Sequence, residues 1–136
     1  MDTVTTYRLL LLLALVVILP TRERLTFYEA NFLCEHMGVD PVYEDDADYN
    51  AELRWSLQTY GFIGDFWLSG NDIIRESLWV WADFDNHISD YEFQIWAPDQ
   101  PIDSDTMNCL YIHYDGFSTM WYNADCHSRK HALCMD

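Results

Sequence analysis

Hydrophobic positions divide the chain into three textures. The first is an unbroken apolar run from Leu9 to Leu19, preceded by Arg8. A membrane-spanning helix needs about 20 apolar residues, and the apolar core of a secretory signal about 7 to 15. Residues 1–20 therefore read as a signal peptide. No small-x-small pair precedes Thr21, so an uncleaved membrane anchor is the alternative. The second texture has a helical period. In "LTFYEANFLCEHMG", Leu25, Ala30, Leu33, Cys34 and Met37 fall near one face. Thr26 and Glu29 are spaced as a capping box, and Gly38 suits the stop. In "DADYNAELRWSLQTYG", Tyr49, Leu53, Leu57 and Tyr60 share a face and Gly61 ends the helix.

From Phe62 onward the pattern shortens. "FWLSG", "SLWVWAD", "CLYIHY" and "HALCM" are short, apolar or alternating, and rich in aromatic or branched residues, which predicts strands. The stretch from Asp83 to Asn108 has little strand character and is broken by Asp, Asn, Pro and Ser. Structureless loops of this length in compact domains are usually functional or disordered. "YEFQIW" within it carries large apolar residues and is expected to be tied down. The whole reads as one α+β domain over residues 21–136, two helices followed by small antiparallel sheets.

Composition narrows the partners. Half of the 136 residues are apolar and 16% are aromatic, enough for a real core. The formal net charge of -16 makes nucleic acid and anionic membranes poor partners. A secretory route places Cys34, Cys109, Cys126 and Cys134 in an oxidising compartment, where four cysteines imply two disulfides and allow three pairings. No Asn-x-Ser/Thr site occurs. No Ser or Cys nucleophile pairs recognisably with a His, so the chain does not read as an enzyme.

The order of motifs resembles the C-type lectin-like domain. The resemblance rests on Phe27, Ala30, Cys34 and Gly38 of the first helix; on "WLSGND", Trp67 to Asp72; and on "ESLWVW", Glu76 to Trp81. It continues through Trp96, the tripeptide Gln100-Pro101-Ile102, Cys109, "WYNADC" and the Cys134 of "HALCM". It implies a secreted recognition domain with pairs Cys34–Cys134 and Cys109–Cys126, a cis Gln100–Pro101 bond, and tryptophans 67, 79, 81 and 96 in the core. The pairing would consume both cysteines of the zinc-like set Cys126, His127, His131 and Cys134. One departure stands out: the family has strands before the first helix, and here they are expected to be missing, with only Thr21 to Arg24 ahead of Leu25.

In sugar-binding members a calcium on the long loop takes its oxygens from five positions. Gln100 supplies an oxygen at the first. Ile102 and Met107 supply none, and Tyr122 and Asn123 stand where an amide and a carboxylate belong. Calcium wants six to eight oxygens, so this site is not expected to work and no cofactor is required. A second, auxiliary calcium position is matched by Asp72, Glu76 and Asp103, with Asp105 or Asn108 in reserve, and would order the loop as a structural calcium. The function expected is carbohydrate binding without the usual calcium, through stacking on Tyr122 or Trp121 and amide hydrogen bonds from Gln100 and Asn123. The alternative is a calcium-independent module of the same fold that binds a protein ligand.

Overall fold

A computed structural model describes residues 18–82 and 86–135, the side chains of Ile18 and Leu19 excepted. The expected signal or anchor segment lies outside the described residues up to Val17. Within them, no helix is long and apolar enough to cross a membrane.

The chain runs β1 (Ile18–Leu25), α1 (Phe27–His36), β2 (Asp40–Pro41), α2 (Ala47–Tyr60), β3 (Gly64–Asn71), β4 (Cys109–Tyr114), β5 (Thr119–Ala124) and β6 (Lys130–Met135). The strands form one sheet in the order β1-β6-β3-β4-β5, with β2 also on β6. All pairings are antiparallel except β3 with β6.

The expected absence of an N-terminal strand is corrected by β1. Ile18 pairs with Met135 and Leu25 with Lys130. The end of the apolar run and the charged "TRER" read as different things in sequence, yet both pair along β6. Strand β1 covers what would otherwise be an open edge. Thr21 Oγ1 also accepts from Ala132 N at 2.9 Å.

Both helices start as their caps dictate. Thr26 accepts from Glu29 N, and Glu29 returns a bond to Thr26 N at 3.0 Å. Asp46 caps α2 through Tyr49 N, and Gly61 closes it at φ 73°, a conformation costly for other residues. Buried α1 residues are Phe27, Ala30 and Cys34; buried α2 residues are Asn50, Leu53, Ser56 and Leu57. Tyr60, expected on the inner face of α2, is exposed instead.

Segment "SLWVWAD" is not a regular strand. Val80 makes single bridges to Asn71 and His87, because Trp79 and Trp81 flanking it are committed to the core. Strand β5 was not apparent from its Thr, Met and Asn content, yet it pairs with β4 over six rungs. "YEFQIW" is tied down: Phe93, Ile95 and Trp96 pack on the main core, and Trp96 bridges Trp121. Trp67, Trp79 and Trp81 are buried and Trp96 partly so. Disulfides Cys34–Cys134 and Cys109–Cys126 form the implied pairing. The first ties α1 to β6 and the second ties β4 to the turn after β5.

Candidate functional site

The long loop is held to the sheet by backbone first. Trp121 N donates to Ile95 O at 2.9 Å, and Ala97 N to Trp121 O at 3.0 Å. Beyond this seam the chain turns through Asp99, whose φ is 65°, and the cis Gln100–Pro101 bond. Asn123, at 3% exposure, then organises the loop from beneath. Its Oδ1 accepts from Ile102 N at 2.8 Å, and its Nδ2 donates to Ile102 O and Met107 O, each at 2.8 Å. Gln100 Oε1 accepts from Asn123 N at 3.0 Å.

This bonding decides the fate of the calcium positions read from sequence. Ile102 is exposed but carries no oxygen, and Met107 offers only a thioether. Asn123 spends its amide on the loop's backbone, and Gln100 spends its carbonyl oxygen on the backbone of β5. The sugar-coordinating set therefore does not fit calcium, whose dehydration must be offset by several oxygens.

Of the four residues expected to contact a ligand, the structure brings Gln100 and Asn123 together but not the two aromatics. Neighbours on a strand point to opposite faces. Trp121 turns inward and is 0% exposed, so the expectation of an exposed stacking ring there is corrected. Its indole contacts Trp81, Phe93 and Trp96 edge-on, and its Nε1 donates to buried Glu44 at 3.0 Å. Tyr122 turns outward and is half-buried. It stacks on Tyr111 with ring centroids 5.4 Å apart, and Lys130 Nζ sits 3.9 Å from the Tyr111 centroid. Burial, followed by Asp65 and Tyr122, pushes the Tyr111 phenol up to about 12.

The auxiliary acids lie on neighbouring loops. Asp72 is buried, with Oδ2 accepting from Ser77 N at 2.9 Å, while Ser77 Oγ reaches Asp103 Oδ1 at 3.5 Å. Glu76 is near enough to feel both carboxyls. Burial raises the Asp72 carboxyl, with Asp103 adding to it; burial and then Asp72 raise that of Glu76. Two buried oxygens here, Asp72 Oδ1 and Asn108 Oδ1, have no hydrogen-bond partner, and Asn108 O accepts from Asp72 N. Hard oxygens of this kind suit calcium. As they stand, no three acids, histidines or cysteines among the described residues are gathered closely enough to hold a metal ion. The donor types fit and the cage is not preformed.

Comparison with known proteins completes the picture. The family model described as Lectin C-type domain matches residues 23–136. The chain belongs to the C-type lectin domain family. C-type lectin domain family 3 member A of Bos taurus is 29% identical over 109 residues, covering 79% of this chain and 53% of that protein. The chain spans about half the length of the relatives it matches. Among solved structures, the C-type lectin domain of murine dendritic cell inhibitory receptor 2, in complex with N-glycan, superposes with a TM-score of 0.74 at 16% identity, covering 89% of this chain and 90% of that one. A calcium-independent type II antifreeze protein does so at 0.73 and 15%, covering 90% and 87%. At such identity the likeness shows the C-type lectin fold alone.

Glu44, unmarked in the sequence, underlies the site by anchoring Trp121. Its carboxylate also accepts from Asn50 Nδ2 at 3.2 and 3.3 Å, and Asn50 Nδ2 reaches Thr119 Oγ1 at 2.9 Å. "YEDD" looks like a solvated acidic run; alternation with buried Val42 is the signal that Glu44 turns inward.

Proposed function

We propose that this C-type lectin domain is an extracellular, non-enzymatic recognition module that binds carbohydrate without a sugar-coordinating calcium. The observation carrying this reading is the donor set of the long loop. Ile102 and Met107 offer no hard oxygen, and Asn123 is consumed in holding the loop. Sugar contact then falls to Tyr122 on the outer face of β5 and to the amide of Gln100, whose Oε1 is bound to Asn123 N. A structural calcium held by Asp72, Glu76 and Asp103, with Asn108 or Asp105 beside them, would supply charge neutralisation that orders the loop.

One observation favours the second reading, a protein ligand. Ile73, Ile74 and Ile102 are all exposed, on two loops joined by the Ser77–Asp103 contact. An apolar rim suits a protein surface better than sugar hydroxyls. A glycan array probed with calcium and again with chelator separates these readings. Binding that survives chelation supports the proposal. Binding lost on chelation refutes calcium independence, and no binding from folded protein moves the function to the protein ligand.

A further inference from the structure

The chain's positive charge is scarce and unevenly placed. It has 23 acidic residues and seven Lys and Arg. Three of those seven, Arg24, Arg129 and Lys130, line one small cleft together with His113 and His131. Strand register explains the gathering. Arg24 of β1 lies opposite His131 of β6, which lies beside Phe66 of β3; the adjacent Asp65 faces His113 of β4. Four neighbouring strands thus deliver their polar residues to one end of the sheet.

The cleft's charge is only partly balanced. Asp65 is its single acidic wall, and both its oxygens are engaged, by His113 Nδ1 at 2.7 Å and Lys130 Nζ at 3.8 Å. Among the described residues Arg24 and Arg129 make no ion pair, although Arg129 feels Glu29, whose carboxylate is bound to Thr26 N. His131 Nδ1 is buried and has no hydrogen-bond partner. Burial holds the Lys130 ammonium below its usual value, Asp65 opposes this, and the Arg24 charge adds to it. Like charges crowded at a cleft in an otherwise anionic protein call for a counter-charge.

We infer that this cleft is an anion site for a compact tetrahedral oxyanion, a sulfate or phosphate group. Guanidinium forks match such oxygens in pairs. The cleft holds about 200 Å³. Drug-sized ligands occupy about 300 Å³ or more, so the space suits a sulfo or phosphoryl group and not a whole oligosaccharide. The group is either a free ion or a substituent on a larger molecule. The inference does not depend on the carbohydrate reading.

Titration by NMR tests it, using sodium sulfate against sodium chloride at equal ionic strength. Sulfate is expected to shift the ring signals of His113 and His131 saturably, and chloride to leave them in place. The variant Arg24→Ser/Arg129→Ser, both at exposed positions, should weaken sulfate by about tenfold or more. Arg75→Ser, exposed on another loop, should not. Equal shifts with chloride, or unchanged sulfate affinity in the double variant, overturn the inference. A sulfated disaccharide and its unsulfated counterpart then identify the source. Tighter binding of the sulfated sugar than of free sulfate assigns a glycan substituent, and equal affinity assigns the free ion. Equal binding of both sugars at this cleft overturns the anion site while leaving a carbohydrate function standing.

Discussion

Glu44 and Trp121, 77 positions apart, meet in the core, the indole N–H donating to the carboxylate at 3.0 Å with both side chains shut off from water. Burial pushes the Glu44 carboxyl up to about 7 from 4.5, against the bonds from Trp121 and Asn50 and the charge of Arg54. The folded state therefore holds a proton that the unfolded chain releases. Stability is greatest below pH 4.5 on this account and falls as pH rises to about 7, by roughly 3 kcal/mol. This is the reverse of an ion-paired surface carboxylate. Urea unfolding across that range checks it, and Glu44→Gln should remove this part of the slope.

Asn123→Asp puts a carboxylate where the resemblance to the family implies one, and it should still fail to restore calcium. Its new oxygen would face Ile102 O and Met107 O, which now receive N–H donors at 2.8 Å. Two acceptors set against an acceptor cost about 3 kcal/mol. Thermal denaturation with and without calcium measures both effects, and a variant that calcium stabilises more than it stabilises the wild-type domain would contradict the bonding scheme.

Tyr122→Ala removes a ring that stacks on Tyr111 but fills no core space. A loss of only about 1 kcal/mol in stability is expected. Sugar affinity should drop about tenfold, read on the same glycans the intact domain binds. Unchanged affinity would exclude the outer face of β5 as the sugar platform.

Calcium should raise the melting temperature if the Asp72, Glu76 and Asp103 group closes around it. At about a hundred times its dissociation constant the gain is about 2.7 kcal/mol. Asp72→Asn should abolish that increment. A wild-type domain indifferent to millimolar calcium would leave these acids as loop structure alone.

Much of this fold was legible because local and global signals agreed. Thr26, Glu29 and Gly61 mark helix ends by bonds they make to their own backbone, so no distant partner need be known. "CLYIHY" alternates cleanly and is β4. β1 was hidden because its residues straddle two textures, and only β6 gives them a reason to be extended. "SLWVWAD" was overread because the tryptophans that suggest a strand serve instead as core fillers. At the site, Ile102 and Met107 betray the missing calcium by residue type alone. That Trp121 and Tyr122 part to opposite faces follows only once β5 is known to be a strand. Glu44 stayed invisible because a buried acid looks like its exposed neighbours until its partners, Trp121 and Asn50, are in place.

The Cys34–Cys134 bond sets how the domain bears tension. Ile18 and Met135 lie side by side on antiparallel strands, so a pull on both ends peels β1 from β6 one rung at a time. The load then reaches Cys134 and crosses the sulfur bridge to Cys34. Strand β1 and helix α1 would yield, while everything from Glu35 to Leu133, including the long loop, lies off the force path. A domain stretched between two anchors would thus lengthen by a short, fixed step, with its long loop carrying none of the load.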